Sequence, residues 1–175
     1  MVTLSTARLR LIAATAAMAR AELRDVAEFA ALVACEVPTD WPPPLNDIES
    51  MTWYSEYLVS HPGAEGWAKW YFARPQGARF ALIGNGGFKG APSPDGTVEI
   101  GYSIVPAQQR KGFASEAVDA LIGWAFQHPQ VRRVIAHTFP DLRASISVLR
   151  RNGFTELGAG PAFEPGTIQF ERRRS

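Results

Sequence analysis

Apolar and polar residues change rhythm several times along the chain, and each change marks an element. Leu4 to Ile12 contains Leu9-Arg10-Leu11, an alternation suited to a first strand. Thr15 is placed to cap a helix running to about Cys35, with Leu23, Val26, Ala27, Ala30 and Ala31 on one face. Pro38 stops that helix, and Trp41-Pro42-Pro43-Pro44 forms a stiff polyproline turn. A second helix is expected over Asn46 to Ser60, ended by His61-Pro62-Gly63. Trp67 to Ala73 and Phe80 to Phe88 are aromatic and aliphatic runs bounded by Gly and Pro, the mark of strands. Ala91 to Gly96 is a turn cluster, and Thr97 to Val105 alternates Val98, Ile100, Tyr102 and Ile104 on one side of a strand. From Gly112 to about Gln127 the spacing changes to three and four, with Ala114, Ala117, Val118, Leu121, Ile122 and Ala125 in one helical stripe. Arg133 to Phe139 is the next strand. Asp141 is expected to cap a helix ending at Asn152-Gly153, where glycine supplies the left-handed terminus. Phe154 to Leu157 and Thr167 to Arg172 close the sheet as a terminal pair.

This order of elements predicts an α/β (α+β) fold with one mixed, mostly antiparallel sheet of about six to seven strands and helices on both faces. The 175 residues make a single domain, 1–175, with no linker or repeat. Charged residues are 20% and hydrophobic ones 46%, which excludes global disorder. The net charge of +1 lacks the basic excess of a nucleic-acid surface, so no nucleic-acid partner is expected. No run approaches the ~20 apolar residues of a membrane span, so no membrane partner is expected either. Leu11 to Ala19 is uncharged and follows Arg8 and Arg10, as in a signal peptide, but it is Ala-rich and reads better as a strand entering a helix. Cys35 is the one cysteine, which fits a cytoplasmic location.

The segment Pro106 to Ala114, PAQQRKGFA, lies between a strand and the start of an amphipathic helix. Unpaired N–H groups and the positive end of a helix dipole meet there. Gly112 permits close approach, and Arg110 and Lys111 add positive charge, so the segment suits a phosphate. An ordinary tight turn with a solvated Arg-Lys pair would leave the same residues. Gly84 to Gly90, GNGGFKG, fits neither phosphate-loop nor dinucleotide spacing and reads as a bulged or tightly approached strand. His61, His128 and His137 are scattered, and no metal-ligand spacing appears, so no metal is expected.

Gln109-Arg110-Lys111-Gly112-Phe113-Ala114 resembles the (Gln/Arg)-x-x-Gly-x-(Gly/Ala) signature of the GNAT superfamily of acyl-CoA-dependent N-acyltransferases. Val98 to Tyr102 before it and Ala144-Ser145 to Gly153-Phe154 after it resemble the branch that acetylates ribosomal-protein N-termini. The resemblance implies acetyl-CoA as co-substrate and a splayed central strand pair. Backbone amides from Arg110 to Ala114, with Gln109, would bind its pyrophosphate, and backbone groups near Ile104 and Val105 would hold the pantetheine arm and polarise the thioester. An amine attacks directly, so a base is needed. Glu99 matches an acidic strand position used by some members. His137 ends the following strand, and imidazole titrates near neutrality. Ser145 would face the coenzyme or hydrogen-bond the sulfur. Two positions depart from the family: Leu149 stands where many members carry a tyrosine acid, and Leu142 where the branch has an asparagine.

The resemblance implies that the acceptor, a protein N-terminus or a small-molecule amine, binds between the first helices and the last strand pair. Glu36, Asp40 and Trp41 are the candidate contacts, with Trp53 nearby; packing is the competing role for both tryptophans. The rival functions are a non-catalytic acyl-CoA sensor of the same fold, motivated by Leu142 and Leu149, and an unrelated phosphate-binding module. A homodimer is compatible with all of these.

Overall fold

The computed structural model describes residues 1–175. The predicted first strand is a hairpin, β1 (Thr3–Ser5) and β2 (Arg10–Ala13), because Thr6 folds the chain back: its N–H donates to the Leu9 carbonyl (2.9 Å) and its hydroxyl accepts from the Leu9 N–H (3.0 Å). Thr15 caps α1 (Ala16–Arg24), its hydroxyl accepting from the Met18 N–H at 3.2 Å. The expected single helix breaks at Asp25. That residue takes extended backbone (φ −151°), and its carboxylate accepts from the N–H groups of Ala27 and Glu28, starting α2 (Val26–Val33). An aspartate this close to free N–H groups competes with helix continuation. The loop after α2 includes a cis Trp41–Pro42 bond and leads to α3 (Ile48–Ser60), capped by Asp47.

Strands β3 (Lys69–Gln76), β4 (Arg79–Phe88) and β5 (Thr97–Ile104) form an antiparallel meander. A short 3₁₀ turn, Pro106–Gln108, leads to α4 (Phe113–Phe126), then β6 (Arg133–Thr138), α5 (Arg143–Arg151), β7 (Thr155–Ala159) and β8 (Ile168–Arg173). Leu142, not Asp141, sits at the start of α5, and no side chain caps it. Gly153 has the left-handed backbone predicted, φ 74°. The sheet has eight strands in the order β1-β2-β3-β4-β5-β6-β8-β7. Every pair is antiparallel except β5–β6, which is parallel and pairs only from Thr97↔Arg133 to Glu99↔Ile135.

Two cores lie on opposite faces. Trp70, Phe72, Ile83, Ile100, Ile104 and Val134 pack with Leu121 and Ile122 of α4 on one face. Tyr71, Ala73 and Leu82 pack with Met18, Phe29 and Leu58 of α1 to α3 on the other. The glycine-rich run in β4 does let strands approach: a Cβ at Gly84 or Gly86 would run into the carbonyl of Ser103 or Gly101 on β5. The β3–β4 register shifts between Phe72 and Ala73, which pair with Gly84 and Leu82, so the extra residue is Ile83, just before the glycine-rich run. No helix is long and apolar enough to cross a membrane.

The second core contains one ion pair. Glu22 and Lys69 are each 2% exposed, 2.8 Å apart, and Glu22 also accepts from the Tyr71 hydroxyl (2.8 Å) and the Trp41 indole (3.1 Å). Burial pushes the Lys69 ammonium down and the Tyr71 phenol up from their ordinary values. Removing the carboxylate strands a buried cation. Glu22→Ala should therefore cost about 3–5 kcal/mol, whereas Glu22→Leu with Lys69→Met should cost much less. Urea unfolding of the two variants checks this; equal losses would contradict it.

Candidate active site

The site begins where β5 and β6 part. The Lys89 N–H donates to the Glu99 carbonyl (3.0 Å) and the Val105 N–H to the Ile83 carbonyl (2.9 Å). Strand alternation then turns the backbone groups of odd-numbered β5 residues toward β4 and those of Ile100, Tyr102 and Ile104 toward β6. The Glu99↔Ile135 bridge uses the Ile100 N–H, and β6 pairs no further, so the groups of Tyr102 and Ile104 face a notch. Of the two thioester-holding positions predicted, Val105 has its N–H committed to Ile83. Ile104 faces the notch with its N–H, while its carbonyl accepts from the Gln109 side chain at 2.9 Å. Gln109 thus buttresses the strand end.

Beyond the notch, Arg110 has φ 62° and Gly112 has φ 81° at the start of α4. This left-handed pair turns the backbone so that no N–H from Arg110 through Ser115 has a protein acceptor, and no side chain caps the helix. That donor run, at the positive end of α4, suits a pyrophosphate. The Lys111 ammonium is turned to the Ala107 carbonyl (2.8 Å) and the Gln108 amide oxygen (3.0 Å). Phe113 is buried beneath the loop, and Ala114 is half-buried against the same core.

Arg8, not singled out from sequence, clamps this loop. Its Nη1 donates to the Lys111 carbonyl (3.0 Å), its guanidinium lies 4.7 Å from the Phe113 ring centre, and its Nε meets Glu116 at 2.7 Å. The Lys111 carbonyl, amid the unpartnered amides, thus has a partner of its own. Glu116 also accepts from the Thr6 hydroxyl (2.6 Å) and the Arg8 N–H (2.9 Å). Burial would raise the Glu116 carboxyl, but these bonds outweigh it and hold it below its ordinary value. A depressed carboxyl contributes stability above its unfolded pKa and loses it as pH falls through the folded one. The clamp should therefore persist through mild acid.

The notch opens on two faces with different chemistry. On the α4–α5 face, the Tyr102 hydroxyl lies 3.3 Å from Ser145 Oγ and 3.2 Å from the Ser145 carbonyl. Burial pushes the Tyr102 phenol up to about 12, with the Ser145 bond working the other way. Leu149 is fully buried in the core, and Leu142 is exposed. On the α1–α3 face, the structure brings Glu99 and His137 together: His137 Nδ1 is 3.0 Å from Glu99 Oε1 and 3.4 Å from Glu164 Oε2. Two carboxylates facing Nδ1 place a proton there; Nε2 is buried without a partner. The Lys89 ammonium bridges Glu99 and Glu164, the latter at 2.9 Å. Burial would lower the Lys89 ammonium, but its bonds to Glu99 and Glu164 raise it overall. Tyr54 of α3 completes the cluster; burial pushes its phenol up to about 12, with Lys89 lowering and Glu99 raising it. The donor atoms of Glu99, His137 and Glu164 lie within 4.8 Å of one another, and the two carboxylates hold the Lys89 ammonium.

The predicted acceptor residues do not gather here. Trp41 is engaged by Glu22 and packs against Phe29 and Tyr71, ring centres 6.0 and 6.2 Å away. Glu36 pairs along the start of β4 and lies 3.8 Å from Arg79. With that arginine it borders a surface groove of Ala30, Cys35 and Phe80 between α2 and the β3–β4 hairpin, whose charges satisfy each other. Asp40 is half-buried and makes no ion pair. Trp53 is 42% exposed and stacks on Tyr57. The same loop reaches β5 and β4 through other residues: the Pro44 carbonyl accepts from the Ser103 hydroxyl (2.6 Å), and the Asn46 amide oxygen from Asn85 (2.9 Å).

A family model described as the acetyltransferase (GNAT) domain matches residues 10–155. The chain belongs to the GNAT acetyltransferase family. The uncharacterized N-acetyltransferase YjdG of Bacillus subtilis (strain 168) is 29% identical over 154 residues, 88% of this chain and 90% of that protein. The ribosomal-protein-S5-alanine acetyltransferase of Vibrio fischeri superposes with a TM-score of 0.66 at 18% identity, over 99% of this chain and 97% of that one. The ribosomal L7/L12 acetyltransferase RimL, solved with coenzyme A, gives 0.65 at 22% identity, over 98% of each chain. At those identities the likeness is one of fold. GNAT proteins are acetyl-CoA-dependent N-acetyltransferases, and the splayed strands, the left-handed Gly112 and the free amides of this chain fit that co-substrate.

If the loop is the anion seat, Gly112→Asp should weaken coenzyme A binding by roughly a hundredfold, through strain and like charge. Arg8→Ala should cost about tenfold by releasing the Lys111 carbonyl, and Arg110→Ala less than about fivefold. Calorimetric titration measures all three; a folded Gly112→Asp protein with unchanged affinity would place the coenzyme elsewhere.

Proposed function

We propose that this protein transfers an acetyl group from acetyl-CoA to a primary amine, a protein N-terminus or a small molecule, by direct attack at the β5–β6 notch. The observation that carries this reading is the run of unpartnered N–H groups from Arg110 to Ser115 beside a notch whose other face holds Glu99 against His137. The loop amides bind the pyrophosphate. The Ile104 N–H, facing the notch, donates to the thioester carbonyl and polarises it. Glu99 takes the proton of the incoming ammonium, which is not nucleophilic until it loses one. His137, donating from Nδ1, holds the Glu99 carboxylate in place and spreads its charge.

On the coenzyme face, Ser145 and Tyr102 stand by the leaving sulfur. A thiol ordinarily titrates near ~8.5. A phenol raised to about 12 keeps its proton, so Tyr102 stabilises a thiolate as a hydrogen-bond donor rather than by proton transfer. This supplies the leaving-group role that Leu149 cannot. On the acceptor face, Glu164 brings the β7–β8 connection to the amine, and Pro44 and Asn46 bring the α2–α3 loop beside it. The protein acts in the cytoplasm, and a homodimer is compatible with this use of one chain's notch.

Glu99→Gln should reduce turnover by roughly a hundredfold or more while coenzyme A affinity stays within about twofold, and His137→Gln should reduce it less. Thiol release with a panel of amines and N-terminal peptides, alongside coenzyme titration, checks the split. Wild-type turnover in both variants would move the base to a residue outside this pair, and coenzyme binding without thiol release from the unaltered protein with any acceptor would leave it as an acyl-CoA-binding sensor.

A further inference from the structure

Lys89 is the residue of the notch that the acyl-transfer reading leaves without a task. It follows the last residue of β4, and its own N–H is bonded to the Glu99 carbonyl, which fixes it beside the final β5–β6 pair. Its side chain is 43% exposed, and its ammonium reaches Glu99 and Glu164. Glu99 Oε1 is the same oxygen that faces His137 Nδ1. A carboxylate that deprotonates an incoming ammonium must hold it one hydrogen bond away. Here a primary amine of the chain itself already stands at that distance.

We infer that Lys89 is a self-acetylation site: without an external amine, the protein acetylates its own Lys89 Nζ from acetyl-CoA. The inference rests on Glu99 acting as the base. The ammonium gives one proton to Glu99, and the freed amine attacks the thioester carbonyl. A carbon–nitrogen bond forms and the carbon–sulfur bond breaks. The second amine proton accompanies the sulfur, so the products are an acetamide on Lys89, free coenzyme A thiol and one proton released through Glu99 to water. Hydrogen bonds to Glu99 and Glu164 hold the Lys89 ammonium charged, so proton removal controls the rate and modification accelerates as pH rises. The product is neutral and gives both carboxylates back to an external ammonium. Added amine therefore competes with Lys89 and slows its modification.

The chain has only three lysines, Lys69, Lys89 and Lys111, which makes the outcome easy to assign. Lys69 is 2% exposed and salt-bridged. Lys111 is exposed and away from Glu99, so it reports the background reaction of a surface lysine. The test incubates the whole protein with acetyl-CoA alone and follows intact mass and peptide maps. Lys89 should gain one acetyl group at least about tenfold faster than Lys111, at a rate independent of protein concentration. Glu99→Gln should slow it by roughly tenfold or more, and Lys89→Arg should remove the fast phase while leaving the slow Lys111 reaction. Modification no faster than at Lys111, unaffected by Glu99→Gln, or proportional to protein concentration overturns the inference. Coenzyme A titration on the same sample separates the two claims. Binding without Lys89 modification overturns self-acetylation alone, and absence of binding overturns acyl transfer as well.

Discussion

A parallel pairing that stops after three residues governs this molecule. β5 and β6 are hydrogen-bonded from Thr97 to Glu99 and then diverge. Backbone polar groups in a sheet interior are ordinarily consumed by the neighbouring strand. Here the Tyr102 backbone and the Ile104 N–H are left without a strand partner, while the alternate groups stay committed to β4, as Val105 is to Ile83. The side chains alternate with the same parity. Tyr102 therefore points to Ser145 on one face, and Glu99 points to His137 on the other. In the proposed reaction, a thioester approaching from the helix α4 face would meet an amine from the opposite face only where the sheet does not close.

The same divergence explains the supports around the notch. Strand β5 runs into a loop whose amides have no protein acceptor, an arrangement that costs backbone strain at Arg110 and exposes donors. Arg8 and Glu116 offset this by fixing the Lys111 carbonyl and neutralising each other. On the α1–α3 face, carboxylates from β5 and the β7–β8 connection converge on one lysine, and the proline-rich loop is tied down by Ser103 and Asn85. The buried Glu22–Lys69 pair anchors Trp41 at the base of that loop.

What could be read in the sequence was local. The Gly112 loop, the alternation of β5 and the stripe of α4 each lie within one short window; Glu99 stood out through the family resemblance, at an acidic strand position, and His137 because it ends the following strand. Their contact, and the Lys89–Glu164 bridge spanning 75 positions, depend on a register that no periodicity encodes. Arg8 was invisible as a clamp for a similar reason: its partner Glu116 lies 108 positions away. Trp41, a candidate acceptor contact from sequence, has its indole N–H taken by Glu22, nineteen residues earlier, a pairing that an indole beside prolines does not announce. The break at Asp25 was missed because helical spacing of the apolar residues continues across it, while the aspartate satisfies the next helix start by itself.

Amide hydrogen exchange with and without coenzyme A tests the central claim most directly, because it reads the backbone groups themselves. The notch and loop account predicts slowed exchange at Ile104 and across Arg110 to Ser115 when coenzyme A binds, with Val105 unchanged because its N–H is already bonded to Ile83. Protection centred instead on the groove of Ala30, Cys35 and Phe80, with Ile104 and the Gly112 loop exchanging as before, would contradict it.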